Sequence, residues 1–127
     1  MKLEHVAIYV NNLETVKSFF MTYFQANAGS CYHNPVTGFR SYFLTFENDT
    51  RLEIMSHPQS VNVEKDCRRT GYAHIAFQVG SPEAVNRLTE ILKADGYSVI
   101  SGPRITGDGY YESCILDLEG NQIEITA

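Results

Sequence analysis

The chain is written twice. His5-Val6-Ala7-Ile8-Tyr9-Val10 reads like His74-Ile75-Ala76-Phe77-Gln78-Val79, and each run is followed by a helical segment. Each half then closes on a short strand with a central glutamate, Leu52-Glu53-Ile54 and Ile123-Glu124-Ile125. From His5 to Glu53 is 48 positions and from His74 to Glu124 is 50. Self-similarity at this scale means one supersecondary unit used twice, so the fold must be a tandem one. Chance can supply one such match; histidine, helix and glutamate in the same order in both halves require a common unit.

The helices follow from apolar spacing. After Asn12, apolar residues at Leu13, Val16, Phe19, Phe20, Tyr23 and Phe24 form one stripe on an α-helix. Asn12 is the expected N-cap, because its side chain can accept from an unpaired amide of the first turn. In the second half, Ser81 caps and Pro82 takes the first helical position, where its missing N–H costs nothing. Val85, Leu88, Ile91 and Leu92 make the second stripe, and Gly96 suits the left-handed residue after the last turn. Strands are expected near 3–10, 28–33, 39–47, 51–57, 72–79, 97–101, 111–118 and 121–126. Turns fall at 47–50 and 119–121. The expected fold is α+β, a single domain of two tandem βαβββ modules at about 1–57 and 71–127, joined by a linker at 58–70. The 127-residue length suits one such domain.

Side chains alternate across a strand, which sets where the repeated polar residues point. Val6, Ile8 and Val10 share one face, and His5, Ala7 and Tyr9 the other. Ile75, Phe77 and Val79 oppose His74, Ala76 and Gln78 in the same way. Leu52 and Ile54 oppose Glu53, as Ile123 and Ile125 oppose Glu124. The aliphatic faces pack under the helices, and the polar faces are free to line a cavity. Two histidines and two carboxylates on such surfaces suit a divalent transition metal, which takes neutral imidazole and ionised carboxylate directly. His33 precedes Pro35 in a polar stretch and reads as exposed; His57 follows the Glu53 strand and could reach a cavity rim.

Composition closes off other classes. A net charge of −5 with scattered basic residues opposes nucleic-acid binding, which needs cations to neutralise phosphates. No apolar run approaches the roughly 20 residues that cross a bilayer, and the first ten residues are too polar for a signal peptide. Three cysteines, Cys31, Cys67 and Cys114, share no CxxC spacing, so a reducing, cytoplasmic setting is expected. Cys114, in an apolar run, reads as a small buried hydrophobe.

The opening Leu3-Glu4-His5-Val6-Ala7-Ile8-Tyr9-Val10, the Gly71-Tyr72-Ala73-His74-Ile75-Ala76-Phe77-Gln78-Val79 run and the closing Leu116-Asp117-Leu118-Glu119-Gly120-Asn121-Gln122-Ile123-Glu124-Ile125 together resemble the vicinal oxygen chelate superfamily, in its glyoxalase I-like group. The resemblance covers essentially the whole chain. It implies two βαβββ modules forming a cup-shaped, mostly antiparallel sheet around one metal, held by His5, Glu53, His74 and Glu124. A fourth ligand at Glu53 resembles glyoxalase I rather than the ring-cleaving dioxygenases, and nickel, cobalt or zinc is the metal implied. The chemistry implied is that of a lyase or isomerase: proton transfer next to a carbonyl through a metal-stabilised enediolate. Glu124 or Glu53 would be the base, with Glu124 preferred. A homodimer and a small-molecule substrate with vicinal oxygens are implied as well.

Three positions depart from the glutathione-using members of that group. Tyr9 stands where an arginine is usual, His57 where an asparagine is usual, and Asp117-Leu118-Glu119-Gly120 replaces an Asp-Pro-Asp-Gly turn. These bear on glutathione recognition and leave the ligand set whole. The alternatives are a dioxygenase or a thiol transferase on the same fold, or a metal-free protein that binds antibiotics in an aromatic cleft. The glycine-rich 102–111 segment reads either as a lid with Arg104 as an anion contact or as a long hairpin loop.

Overall fold

The computed structural model describes residues 1–66 and 68–127. Cys67, one of the three cysteines weighed above, lies outside the described residues. The chain divides into two compact units, Met1–Val63 and Glu64–Ala127.

The first unit runs β1 (Val6–Tyr9), α1 (Leu13–Phe24), β2 (Asn27–Ala28), β3 (Tyr32–His33), β4 (Arg40–Thr45) and β5 (Arg51–Ser56). Its sheet has the order β1-β5-β4-β2, with β3 also paired to β4. Only β1 and β5 are parallel, placing Ala7 beside Glu53; β4 lies antiparallel on the other side, with Phe43 opposite Glu53. The expected strand at 28–33 is two short pieces, because Ser30 and Cys31 leave the ladder after Gly29, whose amide still donates to the Phe43 carbonyl at 2.9 Å. Glycine and serine are poor strand formers, and a break there lets the chain shift register along β4.

α1 begins where the sequence indicates. The Asn12 side chain accepts from the amides of Glu14 and Thr15, and Leu13, Val16, Phe19, Phe20 and Phe24 are buried. Phe19, Phe20 and Phe24 pack edge-on or tilted against one another, with centroids 5.2 to 5.8 Å apart. Beneath them lie Leu44, Leu52 and Ile54, also buried. Each such side chain contributes roughly 1.5–3 kcal/mol by leaving water, so the helix face and the aliphatic sheet face are the core of this unit.

The second unit runs β6 (His74–Gln78), α2 (Pro82–Ala94), β7 (Val99–Ile105), β8 (Tyr111–Leu116) and β9 (Gln122–Thr126). Its sheet has the order β6-β9-β8-β7. Again the first and last strands pair in parallel, with Ala76 beside Glu124, and β8 lies antiparallel with Cys114 opposite it. The βαβββ unit is thus present in both halves.

Two expectations for this unit change. Ile91 is half exposed, and Thr89 is buried in the helix face instead. Its hydroxyl bonds the Val85 carbonyl at 2.6 Å and the buried Ser113 hydroxyl at 2.6 Å, so a polar residue is satisfied inside the core. The 102–111 segment begins as strand rather than as a long loop. β7 continues through Arg104 to Ile105, and the remainder is a tight turn in which Thr106 and Tyr110 bond through the Thr106 amide and side chain. Gly102 makes the strand possible: its φ is +75°, and a Cβ there would lie 2.4 Å from the Glu112 carbonyl oxygen. The closing motif also has a structural part. Buried Asp117 accepts from the amides of Glu119 and Asn121 and from the Asn121 side chain, tying the β8–β9 turn. Among the described residues no helix is long and apolar enough to cross a membrane.

Candidate metal centre

In each unit the parallel strand pair brings together the histidine that opens the unit and the glutamate that closes it. His5 Nε2 lies 3.7 Å from Glu53 Oε2. His74 Nε2 lies 3.1 Å from Glu124 Oε2. These contacts bridge nearly 50 positions of chain, and the sheet register produces them: the glutamate's neighbour on the edge strand is an alanine in both cases, two positions after the histidine. A small residue at that point leaves the histidine and glutamate side chains free to lean over it. Within either unit, among the described residues, no three histidine, cysteine, aspartate or glutamate side chains converge as an ion would need. What each unit holds is a pair, one imidazole and one carboxylate.

The two pairs differ in their surroundings. Glu53 is flanked by Ala7 and Phe43, and Glu124 by Ala76 and Cys114. Burial raises the carboxyl of Glu124 above the usual carboxylate range; His74 opposes this, and Glu112 and Asp108 add to it as like charges. The Thr126 hydroxyl, two positions along β9 on the Glu124 face, is buried without a hydrogen-bond partner. Cys114 is buried as the sequence indicated, yet it stands on the donor face rather than the helix face, which Ser113 and Ile115 occupy.

The other histidines take different roles. His33 is exposed on β3. His57 lies past the end of β5, and its Nδ1 accepts from the Gln59 amide at 3.1 Å, so the ring caps a turn. Arg104 faces its strand partner Glu112 and donates to the Ser101 hydroxyl at 3.1 Å. Tyr9 is largely exposed at the end of β1.

Sequence reasoning did not find Glu4, Phe43 and Arg51, which surround His5. Glu4 contacts His5 Nδ1 and Arg51, and the Phe43 ring meets the imidazole edge-on at 5.2 Å. A signal existed for Phe43, since strand alternation places it on the Glu53 face. None existed for Glu4, which alternation along the expected 3–10 strand puts on the face opposite His5, whereas in the structure it precedes β1.

Comparison with known proteins agrees with this architecture. The profile of the glyoxalase/bleomycin resistance protein/dioxygenase superfamily matches residues 2–125. The uncharacterized protein YqjT of Bacillus subtilis (strain 168) is 25% identical over 130 residues, spanning 98% of both chains. The trypanothione-dependent glyoxalase I of Leishmania major superposes with a TM-score of 0.79 at 18% identity, over 99% of this chain and 86% of that one. FosX, a fosfomycin resistance protein of Listeria monocytogenes solved with Mn(II) and sulfate, superposes with a TM-score of 0.73 at 21% identity, over 99% of this chain and 91% of that one. With a family profile spanning nearly every residue and a histidine–glutamate pair at the same place in both βαβββ units, the chain belongs to the glyoxalase/bleomycin resistance protein/dioxygenase superfamily.

Proposed function

We propose that this protein is a divalent-metal-dependent lyase or isomerase similar to glyoxalase I, moving a proton beside a carbonyl in a small substrate with adjacent oxygens. The observation that carries this reading is the repeated pairing of imidazole Nε2 with a carboxylate oxygen, at 3.7 Å in one unit and 3.1 Å in the other. Two nitrogens and two anionic oxygens form a donor set that fits nickel, cobalt or zinc. His5, Glu53, His74 and Glu124 would hold the ion. When bound, it supplies polarisation of the substrate's neighbouring oxygens.

Glu124 is the proposed base. It stands between Ala76 and Cys114, so small side chains on both sides leave space for a substrate carbon. Glu53 has the Phe43 ring on one side and less room to move. In this reading Glu124 takes the proton from carbon and returns it to the neighbouring carbon. The partners are the small-molecule substrate and a second copy of the chain, as a homodimer.

A second reading places addition to an electrophile on the same donors. Tyr9 in place of the arginine typical of glutathione users favours it, as does likeness to the Mn(II)-complexed FosX.

Metal content per chain decides first. The protein is purified metal-free and reloaded with nickel, cobalt, zinc, manganese or iron(II). About one ion per chain, lost in Glu53→Ala and Glu124→Ala, is the expected result. A screen of glutathione hemithioacetals and epoxides then separates the two readings. No binding of any ion overturns both and favours a metal-free small-molecule binder.

A further inference from the structure

Four side chains, His5 among them, form a closed circuit. One carboxylate oxygen of Glu4 contacts His5 Nδ1, and the other contacts the Arg51 guanidinium. That guanidinium lies over the Phe43 ring, 4.4 Å from its centroid. The Phe43 ring in turn meets the His5 imidazole edge-on, with centroids 5.2 Å apart and planes at 88°. Glu4 is exposed, and an isolated surface carboxylate would hold no fixed place. Here Arg51 fixes it, because Arg51 is itself seated on an aromatic face on the same side of the sheet as Glu53.

We infer that Glu4 is a positioning residue that sets the tautomer of His5. A neutral imidazole carries its proton on one nitrogen and a lone pair on the other. A carboxylate can only accept, so its contact with Nδ1 places the proton there. The lone pair is then on Nε2, the nitrogen that faces Glu53 at 3.7 Å. A carboxylate behind a ligating histidine also makes the imidazole a stronger donor and fixes its ring orientation.

The circuit is confined to the first unit. Ala73 stands where Glu4 does, Gln122 pairs with His74 where Arg51 would be, and Cys114 replaces Phe43. Among the described residues no carboxylate contacts Nδ1 of His74, which meets Glu124 through Nε2. The repeat has therefore kept the donors and not their support, and His5 is the pre-organised histidine of the two.

The inference rests on the metal reading for its consequence but not for its geometry, so two measurements separate them. Nitrogen-15 NMR of the metal-free protein, above the pH range of histidine titration, reads the tautomer directly. Wild type is expected to show His5 protonated at Nδ1. Glu4→Ala is expected to shift it toward the Nε2–H form common for free imidazole. Glu4→Gln, whose amide oxygen can still accept, is expected to retain the wild-type form. Cobalt(II) affinity, measured against a competing chelator, is expected to fall about 10- to 100-fold in Glu4→Ala, with an unchanged far-UV spectrum, and to be largely rescued in Glu4→Gln. An Nδ1–H tautomer that persists in Glu4→Ala overturns the inference, as does unaltered cobalt affinity in that variant. If wild type binds no ion, the metal reading falls, and the tautomer alone decides the role of Glu4.

Discussion

Glu14, on the first turn of α1, accepts from Lys17 and from the Tyr42 hydroxyl at 2.7 Å, and Arg40 lies 3.9 Å away. The Lys17 hydrogen bond, then that of Tyr42, hold its carboxyl below the usual carboxylate range. A depressed native value means that the unfolded chain binds more protons as the pH falls. The stability that Glu14 contributes is present above the ordinary glutamate range and is lost as pH drops through the native value. Urea midpoints measured from neutral pH into acid are therefore expected to fall more steeply in wild type than in Glu14→Gln. Equal slopes would show that solvent screens this exposed group completely. Thr89 is a different kind of residue: hydrophobic periodicity favoured Ile91 for burial, yet the helix turns its hydroxyl toward Ser113. Alternation and period report where apolar residues belong; they carry no signal for two hydroxyls that satisfy each other across a helix–strand contact.

At the scale of elements, the sequence specified most of what positions the donors. Asn12 and Ser81 mark the helix starts, and strand alternation puts His5, Glu53, His74 and Glu124 on the face away from the helices. What it did not specify were irregularities set by neighbouring strands. The β2–β3 break and the continuation of β7 past Gly102 depend on what lies across the ladder. Gly102 shows why: the glycine-rich 102–111 segment resembles a loop, but the glycine is there because the Glu112 carbonyl occupies the space of a side chain. Gly102→Ala must move backbone rather than a flexible side chain, and its positive φ adds strain. A loss of about 1–3 kcal/mol in unfolding free energy is expected, read by urea denaturation. Gly107→Ala, with nothing near its added Cβ, is the control expected to stay close to wild type.

For the whole molecule, the repeat gave the architecture and the resemblance implied the four-donor set, while the structure shows one histidine–glutamate pair within each unit. If one ion is bound only by the folded chain, it stabilises that chain by mass action. Free nickel or cobalt at 100 times its dissociation constant is expected to add about 2.7 kcal/mol, seen as a rise of several degrees in Tm. His74→Ala is expected to lose this rise while unfolding normally in the presence of chelator. A rise that persists in His74→Ala would place the ion elsewhere.

Both units close by laying their last strand parallel to their first, β5 beside β1 and β9 beside β6. That pairing joins residues nearly 50 positions apart, the most distant contact each unit makes between strands, and distant contacts are the slow ones to form. A chain emerging from the ribosome thus holds His5 long before Glu53 exists, and no partly built unit can present its histidine–glutamate pair. The imidazole–carboxylate pair is in this way a mark of completion: it exists only once its module has been made to the end and its sheet closed.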